Sequence, residues 1–549
     1  MRISRQHIVG RERRLWMAAD SLDRRNTPPG SERCRNVPAI AVFFAVIVLT
    51  VFAVGMAASA HAGAVQWPAG AKELEQKRDY QALLEYSRKW ISAEITNPMA
   101  WYILGVAHYK LGQFPNAMDA FRESVRLQPD DARAWYNLGV SYDDLGQFSN
   151  AVNAYREAIR INPNYSSAWY NLGGAYSNLK QYPAAMDAFQ EAKRLNPEDP
   201  FVWNSLGTLY NLLGRHADAS EAFREAVRLK PNDERGWYGL GISYAKLGQH
   251  VKAVDAYQRS IRLKPNEPAT WYNMGVSYGS LGQYTDAVKA YREALRFKPD
   301  DAVTWSTLGL AYSTLGQHGN AVDAYLQGVR IKPEDSTTWF NLGVSYDDLG
   351  QFRKAADAYH RAISLRAAYT SAWYNLGIAY SKLGQHDNAV GAYREAIRLA
   401  PEDPTAWYNV GNSYDKLGRF PSAVSAYREA IRLKPDLPFV WTNLGAVYVK
   451  LGDYPKAVEA CREAIRLKPD DARAWYHLGS ANAKMGRRED AMAAYNKLKQ
   501  LDMSLANEYF EKVVFLGDAP AGGGAIHVGD ETLPRSRGTG RIGPNNTGR

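Results

Sequence analysis

AWYNLGVSYDDLGQFSNAVNAYREAIRINP, residues 134–163, is the stretch that decides the fold of this chain. It recurs in diverged copies at a spacing of 34 residues, without insertion or deletion, over most of the 549-residue sequence. Such a period, in the range of about 20 to 50 residues, is typical of stacked repeats that bury their apolar faces against one another. The sequence therefore predicts a long, regular surface rather than a catalytic pocket. One tryptophan marks each of the twelve copies: Trp101, Trp135, Trp169, Trp203, Trp237, Trp271, Trp305, Trp339, Trp373, Trp407, Trp441 and Trp475.

Each copy contains two amphipathic segments separated by a glycine. The first has apolar residues at i, i+3 and i+7, and the second at i, i+4 and i+7, so each segment presents one apolar stripe as a helix. Gly146 predicts a helix end and a turn between them. We therefore expect an antiparallel helix pair in every copy. In the quoted stretch the stripe residues are Trp135, Leu138, Tyr142, Ala151, Tyr155 and Ala158.

A second glycine stands inside the first helix of all twelve copies, from Gly105 to Gly479. A glycine in a helix interior costs about 1 kcal/mol relative to alanine, so it indicates a close approach of the paired helix. Pro163 predicts the end of the second helix. An aspartate that follows the closing turn in several copies is expected to cap the next first helix. These aspartates are Asp131, Asp301, Asp335 and Asp471.

The columns resemble the tetratricopeptide (TPR) repeat, which has tryptophan, leucine, glycine, tyrosine, alanine, an aromatic residue, alanine and proline at these offsets. The resemblance covers residues 98–503 in twelve consecutive repeats. It implies an all-α fold, a right-handed TPR superhelix (an α-solenoid) of antiparallel helix pairs. It also implies that the first helices line a concave groove.

The ends of a solenoid need capping segments, and both ends of this chain depart from the repeat. Residues 63–97 are expected to form a degenerate N-terminal capping helix pair, and residues 504–515 a C-terminal capping helix. The Gly-rich residues 516–549 are too poor in apolar side chains to fold and are predicted to be a disordered tail.

The N-terminus has the pattern of an export signal or a membrane anchor. Residues 1–37 hold nine arginines and four acids and are expected to stay cytoplasmic as a basic region. Residues 38–62 form the apolar segment, and positions 39–60 carry no charge over 22 residues, which is long enough to span a bilayer. Ala60-His61-Ala62 is an A-x-A cleavage pattern. We expect the repeats to face the periplasm, either anchored in the inner membrane or soluble after cleavage near Ala62.

Charge and composition favour a protein-binding role over other classes. About half of the net charge of +10 belongs to residues 1–37, and the repeat arginines alternate with glutamates as on a solvated face, so we expect no nucleic acid as partner. Cys461 stands in an aromatic column and is predicted to be a buried filler. No phosphate-binding loop, nucleophile elbow or metal-spaced cysteine set occurs, so we expect no enzyme activity, cofactor, metal or small-molecule substrate.

Histidines and paired acids are the nearest approach to site chemistry in the repeats. Four histidines recur in a column that is otherwise aromatic, and ring packing at the turn between helices explains them better than metal ligation. Two acid pairs, Asp143-Asp144 and Asp347-Asp348, end the first helix of two distant repeats. No histidine or lysine is fixed beside them. The histidines are His216, His250, His318 and His386.

The candidate site is the groove that the first helices line in TPR proteins. Its sixth repeat position is asparagine in seven copies, and its fifth is mostly aromatic. An asparagine amide offers both a donor and an acceptor to an extended peptide backbone, and tyrosine adds apolar area with a polar tip. The alternative is that the asparagines bond only within the solenoid, between neighbouring first helices. The predicted binding residues are Asn137, Asn171, Asn273, Asn341, Asn375, Asn409, Asn443, Tyr136, Tyr170, Tyr272, Tyr374 and Tyr408.

The asparagine column resembles that of the TPR superhelix of O-linked N-acetylglucosamine transferases, whose catalytic domain has no counterpart here. This implies peptide binding without transferase activity. The leading hypothesis is therefore an exported or membrane-anchored bacterial scaffold that binds other proteins or extended peptides. Two alternatives stay open: an accessory subunit of envelope secretion or polysaccharide export, and a TPR adaptor of a glycosyltransferase system.

Overall fold

The structure, a computed structural model, describes residues 66–515. These residues form 27 α-helices and one closing π-helical turn, and within this range there is no strand. The all-α fold and its consecutive helix pairs, predicted from the repeat pattern, are confirmed. The predicted basic region 1–37, the apolar segment 38–62 and the tail 516–549 lie outside the described residues.

The described part of the chain divides into two compact units, with the boundary between Asn273 and Met274. In the first unit, two N-terminal helices precede five repeats, each made of a first and a second helix. The helices are α1 (Trp67–Gln76), α2 (Tyr80–Ala93), α3 (Pro98–Lys110), α4 (Phe114–Leu127), α5 (Ala132–Asp144), α6 (Phe148–Ile161), α7 (Ser166–Asn178), α8 (Tyr182–Leu195), α9 (Pro200–Leu212), α10 (His216–Leu229), α11 (Glu234–Lys246) and α12 (His250–Leu263).

Helix α13 (Pro268–Ser280) contains the division between the units. The second unit continues the same alternation and ends in the short helix α27 and the π-helical turn Phe510–Phe515. Its helices are α14 (Tyr284–Phe297), α15 (Ala302–Thr314), α16 (His318–Ile331), α17 (Ser336–Asp348), α18 (Phe352–Leu365), α19 (Thr370–Lys382), α20 (His386–Leu399), α21 (Pro404–Lys416), α22 (Phe420–Leu433), α23 (Pro438–Leu451), α24 (Tyr454–Leu467), α25 (Ala472–Lys484), α26 (Arg488–Leu501) and α27 (Met503–Tyr509).

A left-handed residue ends the first helix of each repeat and starts the turn to the second. Gly146 has φ 72°, and the next amide, that of Gln147, donates 2.8 Å back to the carbonyl of Tyr142. Glycine adopts this conformation without steric cost. Lys180 takes the same conformation with φ 61° in the one repeat that lacks the glycine. The turn geometry is thus imposed by the stacked helices even where the residue type disfavours it.

In ten of the twelve repeats the glycine inside the first helix makes room for an aromatic ring from the second helix. A Cβ atom at Gly139 would lie 2.6 Å from the ring of Tyr155, which is fully buried. The same close approach recurs between Gly343 and Tyr359. The predicted close approach of the paired helix is confirmed. The group that requires glycine at this position is the aromatic ring of the second helix.

The tryptophan of each repeat forms a hydrogen bond to the segment that leads into that repeat. The indole Nε1 of Trp135 donates 2.9 Å to the carbonyl of Pro129, six residues earlier, and the same bond recurs in every repeat. Helix starts are also capped as predicted, because Asp131 accepts the amide of Arg133. The caps at Asp301, Asp335 and Asp471 are confirmed in the same way.

Among residues 66–515 no helix combines the length and the apolar character that crossing a membrane requires. The apolar run at positions 39–60 lies outside this range.

Candidate functional site

The seven predicted asparagines lie on the first helices, and five of them form a hydrogen bond to the preceding repeat. In these five the side-chain Nδ2 donates to the hydroxyl of a tyrosine 35 residues earlier, in the first helix of the preceding repeat. The pairs are Asn137 with Tyr102 (3.0 Å), Asn171 with Tyr136 (3.1 Å), Asn273 with Tyr238 (3.1 Å), Asn409 with Tyr374 (2.8 Å) and Asn443 with Tyr408 (3.1 Å).

These bonds are the ones that the internal interpretation of the column expects. Asn409 and Asn341 are 5% and 8% exposed, so both amides are largely withdrawn from solvent. A bond to tyrosine uses one of the two N–H donors of an amide and leaves its oxygen as an acceptor. Peptide binding by this column therefore stays a prediction, with one donor already committed to the solenoid.

The tyrosines of these pairs are held in a weakly polar environment. Burial raises the pKa of Tyr102 and of Tyr238 to about 12, and the hydrogen bond from the asparagine partly opposes that rise. Burial likewise raises the pKa of Tyr374. The hydroxyls thus stay protonated near neutral pH, each with a proton to donate as well as lone pairs to accept.

Two predicted asparagines lack a tyrosine at the matching place. The residue 35 positions before Asn341 is Ser306, and the one before Asn375 is Phe340, which has no hydroxyl group. Tyr170 is matched by Ser205, whose hydroxyl donates to it at 3.4 Å. The column is therefore a series of bonded pairs with gaps rather than one continuous row.

Asn412 is a site residue that the sequence reasoning missed. Its Oδ1 accepts from Nδ2 of Asn443 at 3.0 Å and from the hydroxyl of Tyr427 at 2.7 Å. Together with Tyr408 these residues form a polar cluster between two neighbouring repeats. Asn412 occurs only once at its repeat position, so periodicity gave no signal for it.

The ends of the first helices carry further contacts between neighbouring repeats. The hydroxyl of Tyr109 donates 2.8 Å to Asp144, one member of an acid pair singled out in the sequence. Lys450 pairs with Asp415 at 2.6 Å, again 35 residues away. These polar side chains therefore tie adjacent first helices together along the face that carries the asparagines.

The column histidines and Cys461 lie on the second helices. Each of the four column histidines begins a second helix, and His216 lies 3.0 Å from the amide oxygen of Asn211, while His318 lies 3.5 Å from Asp348. In the part of the chain that the structure describes, no three His, Cys, Asp or Glu side chains are grouped to hold a metal ion. Cys461 is fully buried, and its sulfur would lie 2.4 Å from a Cβ atom at Gly445, so it fills the ring's place as predicted.

His477 takes the place of asparagine in the last repeat. Its ring lies edge-on to Tyr476, with 5.4 Å between ring centroids. Burial, and after it the positive charge of Lys450, lowers the pKa of His477 from 6.5 to about 4. The imidazole is therefore neutral at neutral pH.

A depressed histidine pKa predicts a loss of stability in mild acid. Between pH 6.5 and about pH 4 the unfolded chain binds a proton at His477 that the folded chain does not, so the free energy of unfolding should fall over this window. His477→Asn, which installs the common residue of the column, should lack this part of the pH dependence. Urea unfolding of both proteins across the window measures the difference, and parallel curves would contradict the assignment.

The repeats match known families and structures. The model described as the cilia and flagella-associated protein 70 C-terminal domain matches residues 52–274 and 366–507. Single-repeat models described as tetratricopeptide or TPR repeats match residues 268–301, 302–335 and 345–384. A search of curated proteins gives no significant match. The resemblance of the asparagine column to O-linked N-acetylglucosamine transferases is not confirmed.

Three solved structures are similar to parts of this chain. MamA is 27% identical, and the match covers 30% of this chain and 95% of MamA with a TM-score of 0.29. YrrB, described as a TPR protein with an unusual peptide-binding site, is 23% identical over 33% of this chain and 94% of its own, with a TM-score of 0.31. The hetero-tetramer Cut9–Hcn1 of the APC/C is 15% identical over 81% and 95%, with a TM-score of 0.32.

These TM-scores are too low to carry a functional argument. The family model, in contrast, spans more than half of the sequence and includes nine of the twelve repeats in full. On that match, the chain belongs to the tetratricopeptide repeat proteins of the family described as the cilia and flagella-associated protein 70 C-terminal domain.

Proposed function

We propose that this protein is a non-catalytic scaffold that binds extended segments of other proteins along its first helices. TPR folds mediate interactions between proteins, and this supports the general class. The observation that carries the proposal is the repeated asparagine–tyrosine pair. In five of the twelve repeats this pair orients a side-chain amide of the first helix by a bond to the preceding repeat.

The tyrosine bonds favour binding because they hold the amides in place. A side chain that is already ordered loses little conformational freedom when a ligand arrives, so less of the interaction energy is spent on ordering. The remaining donor and the oxygen of such an amide match the C=O and N–H groups of an extended peptide. Aromatic rings pack around these pairs, as Phe439 does against Tyr408 with 5.0 Å between ring centroids.

Two single variants of one bonded pair separate binding from stability. Asn409→Ala should weaken a peptide ligand by about 0.5–1.5 kcal/mol, the usual net value of one hydrogen bond. Tyr374→Phe removes the internal bond at 2.8 Å but leaves the amide present. We therefore expect the asparagine variant to lose more affinity than the tyrosine variant. Fluorescence anisotropy with peptides selected on an array measures affinity, and thermal melts report stability.

Asn375 provides the comparison for this pair, since the residue 35 positions earlier on the preceding first helix is Phe340, which has no hydroxyl, and the tyrosine near its amide is Tyr359 of the second helix. Asn375→Ala should lower affinity while leaving the melting temperature nearly unchanged. If Asn409→Ala and Tyr374→Phe lower the melting temperature equally while affinity is unchanged in all three variants, the column serves the solenoid alone. The proposed binding face is then wrong.

We further propose that the repeats are exported to the periplasm, soluble or anchored through residues 39–60. The proposal is supported by the arginine-rich start of the chain, the uncharged apolar run and the A-x-A pattern at Ala60-His61-Ala62. Charge asymmetry of this kind keeps the basic side in the cytoplasm and sends the other side across the membrane.

Fusion reporters test this topology directly. Alkaline phosphatase, which is active only after export, should be active when it is fused after Phe515. A reporter that works only in the cytoplasm should be silent at the same place. The reverse pattern would refute export. Inhibition of signal peptidase then distinguishes cleavage from anchoring, because only a cleaved protein shows a precursor of higher mass.

A further inference from the structure

The second helices carry a recurring ion pair on their solvent-exposed face. In eight of the twelve repeats a glutamate pairs with the arginine three residues later, at 2.5–2.9 Å. Exposed pairs of this kind contribute little to stability, but they keep the face nearly neutral. The glutamates are Glu123, Glu157, Glu191, Glu225, Glu293, Glu395, Glu429 and Glu463.

Two repeats replace this glutamate by arginine. In the fifth repeat (residues 234–267) Arg259 occupies the column, and its guanidinium carbon lies 4.7 Å from the ring centroid of Trp237. In the same repeat Lys252 lies over Tyr244, with its Nζ 5.5 Å from the ring centroid. Replacing glutamate by arginine changes the local charge by two units. The cations are also held in place by aromatic rings.

The fourth and fifth repeats form an open groove beside these cations. It has a volume of about 630 Å³, and apolar side chains such as Val227 and Leu240 contribute to its lining. Val251 at its edge is 70% exposed. Four basic side chains, including Arg224 and Lys252, line the groove against two acidic ones.

Pairing within the groove leaves part of its positive charge uncompensated. Glu225 is bound to Arg228, and Asp255 to Arg259 at 3.3 Å. Arg224 and Lys252 have no carboxylate within ion-pairing distance among the described residues. The groove therefore combines apolar surface with positive charge whose counter-charge the described residues do not supply.

The same pair of substitutions occurs once more, in the eighth repeat (residues 336–369). Arg361 lies over Trp339 at 5.8 Å, and Lys354 lies over Tyr346 at 5.5 Å. No other repeat combines an arginine at the glutamate position with a lysine seven residues before it. The combination of these two changes in both repeats indicates a shared role.

We propose that these basic second-helix faces bind acidic segments of a partner protein, with an apolar side chain of the partner seated in the groove beside Val251. Charge complementarity favours a carboxylate-rich ligand, and the apolar lining favours a protein over a polyanion that lacks apolar side chains. The cations of this surface lie on the second helices, and the first-helix residues that line the groove, Trp237, Leu240 and Tyr244, are not those of the asparagine–tyrosine pairs.

The test uses the full-length protein and a fluorescein-labelled glutamate-rich peptide with one central leucine. Arg259→Glu and Arg361→Glu install the residue that eight other repeats carry, so both variants should fold. In a protein that carries both changes, each of the two faces should bind the peptide about tenfold more weakly, because an attractive charge is replaced by a repulsive one. The control variant is Arg292→Glu, on the second helix of the sixth repeat. It makes the same change of charge in a repeat that has glutamate rather than arginine in the column. It should alter affinity less than about twofold, because salt screens an exposed charge outside the binding surface.

Two competitors decide the chemical class of the partner. A glutamate peptide without leucine should compete less well than the probe, and a single-stranded oligonucleotide should compete less well than either. Preferential binding of the oligonucleotide would overturn the proposal in favour of nucleic acid. Unchanged peptide affinity in the double variant would also overturn the proposal. If the melting temperature of that variant were lowered at the same time, the cation–ring contacts would serve only to stabilise the repeats.

Discussion

Replacing Gly173 by alanine is expected to destabilise the protein by about 1–3 kcal/mol, the usual cost of overpacking a core. A Cβ atom there would lie 2.6 Å from Cδ1 of Phe189, a ring that is 4% exposed and has little room to move. This cost outweighs the gain of about 1 kcal/mol that alanine brings to a helix interior. Urea unfolding monitored by circular dichroism measures the change.

The adjacent Gly174 is the matched control. It lies in the same helix, α7, but a Cβ atom there would have no neighbour within 4 Å. Gly174→Ala should therefore stabilise the protein by about 0.5–1 kcal/mol through helix propensity alone. Opposite signs at two consecutive residues are the expected result. Stabilisation at both positions would mean that the ring of Phe189 adapts and that the glycine column is not required by packing.

Tyr257→Ala is expected to have the largest effect, a loss of about 3–5 kcal/mol, because it leaves a cavity where a large ring was buried. Tyr257 is 1% exposed, and a Cβ atom at Gly241 would lie 2.5 Å from its ring. In a solenoid, stability is a sum of local and nearest-neighbour terms. Amide hydrogen exchange should therefore rise in the fourth and fifth repeats and much less in the first and second.

Val251→Ala, in the same helix as Tyr257, controls for the loss of side-chain volume without a cavity. Val251 is 70% exposed, so its truncation should change stability by less than about 0.5 kcal/mol. Equal loss of exchange protection in the first and fifth repeats of the Tyr257→Ala protein would contradict local, nearest-neighbour stability.

Much of the fold could be predicted because its determinants are local in sequence. Gly146 and Pro163 predict the helix ends. The cap at Asp131 could be predicted because its contact lies within one turn of the chain. The glycine column indicated a close neighbour, although only the structure identified it as the ring of the second helix. These features depend on residues within one repeat, where spacing is informative.

The candidate site could be predicted only in part, because its contacts join residues of different repeats. Asn409 meets Tyr374 at a separation of 35 residues, one more than the period, and that offset is set by how the first helices stack. A column of asparagines is compatible with either partner, a peptide or a tyrosine. The sequence likewise showed Arg259 only as part of the mixed charge of the second helices. Its contact with Trp237 could not be predicted, because that contact depends on how the two helices pack.

The indole bond at each repeat border has a consequence for how such a chain can change in length. Trp135 donates to the carbonyl of Pro129, six residues earlier, so the connection between two repeats is stabilised by residues that are close together in the sequence. Duplication or deletion of one 34-residue segment, starting at any point of the repeat, would therefore restore the same hydrogen bond at the new junction. The gene can thus lengthen or shorten its product in whole steps, and each step adds or removes one increment of contact area for a partner.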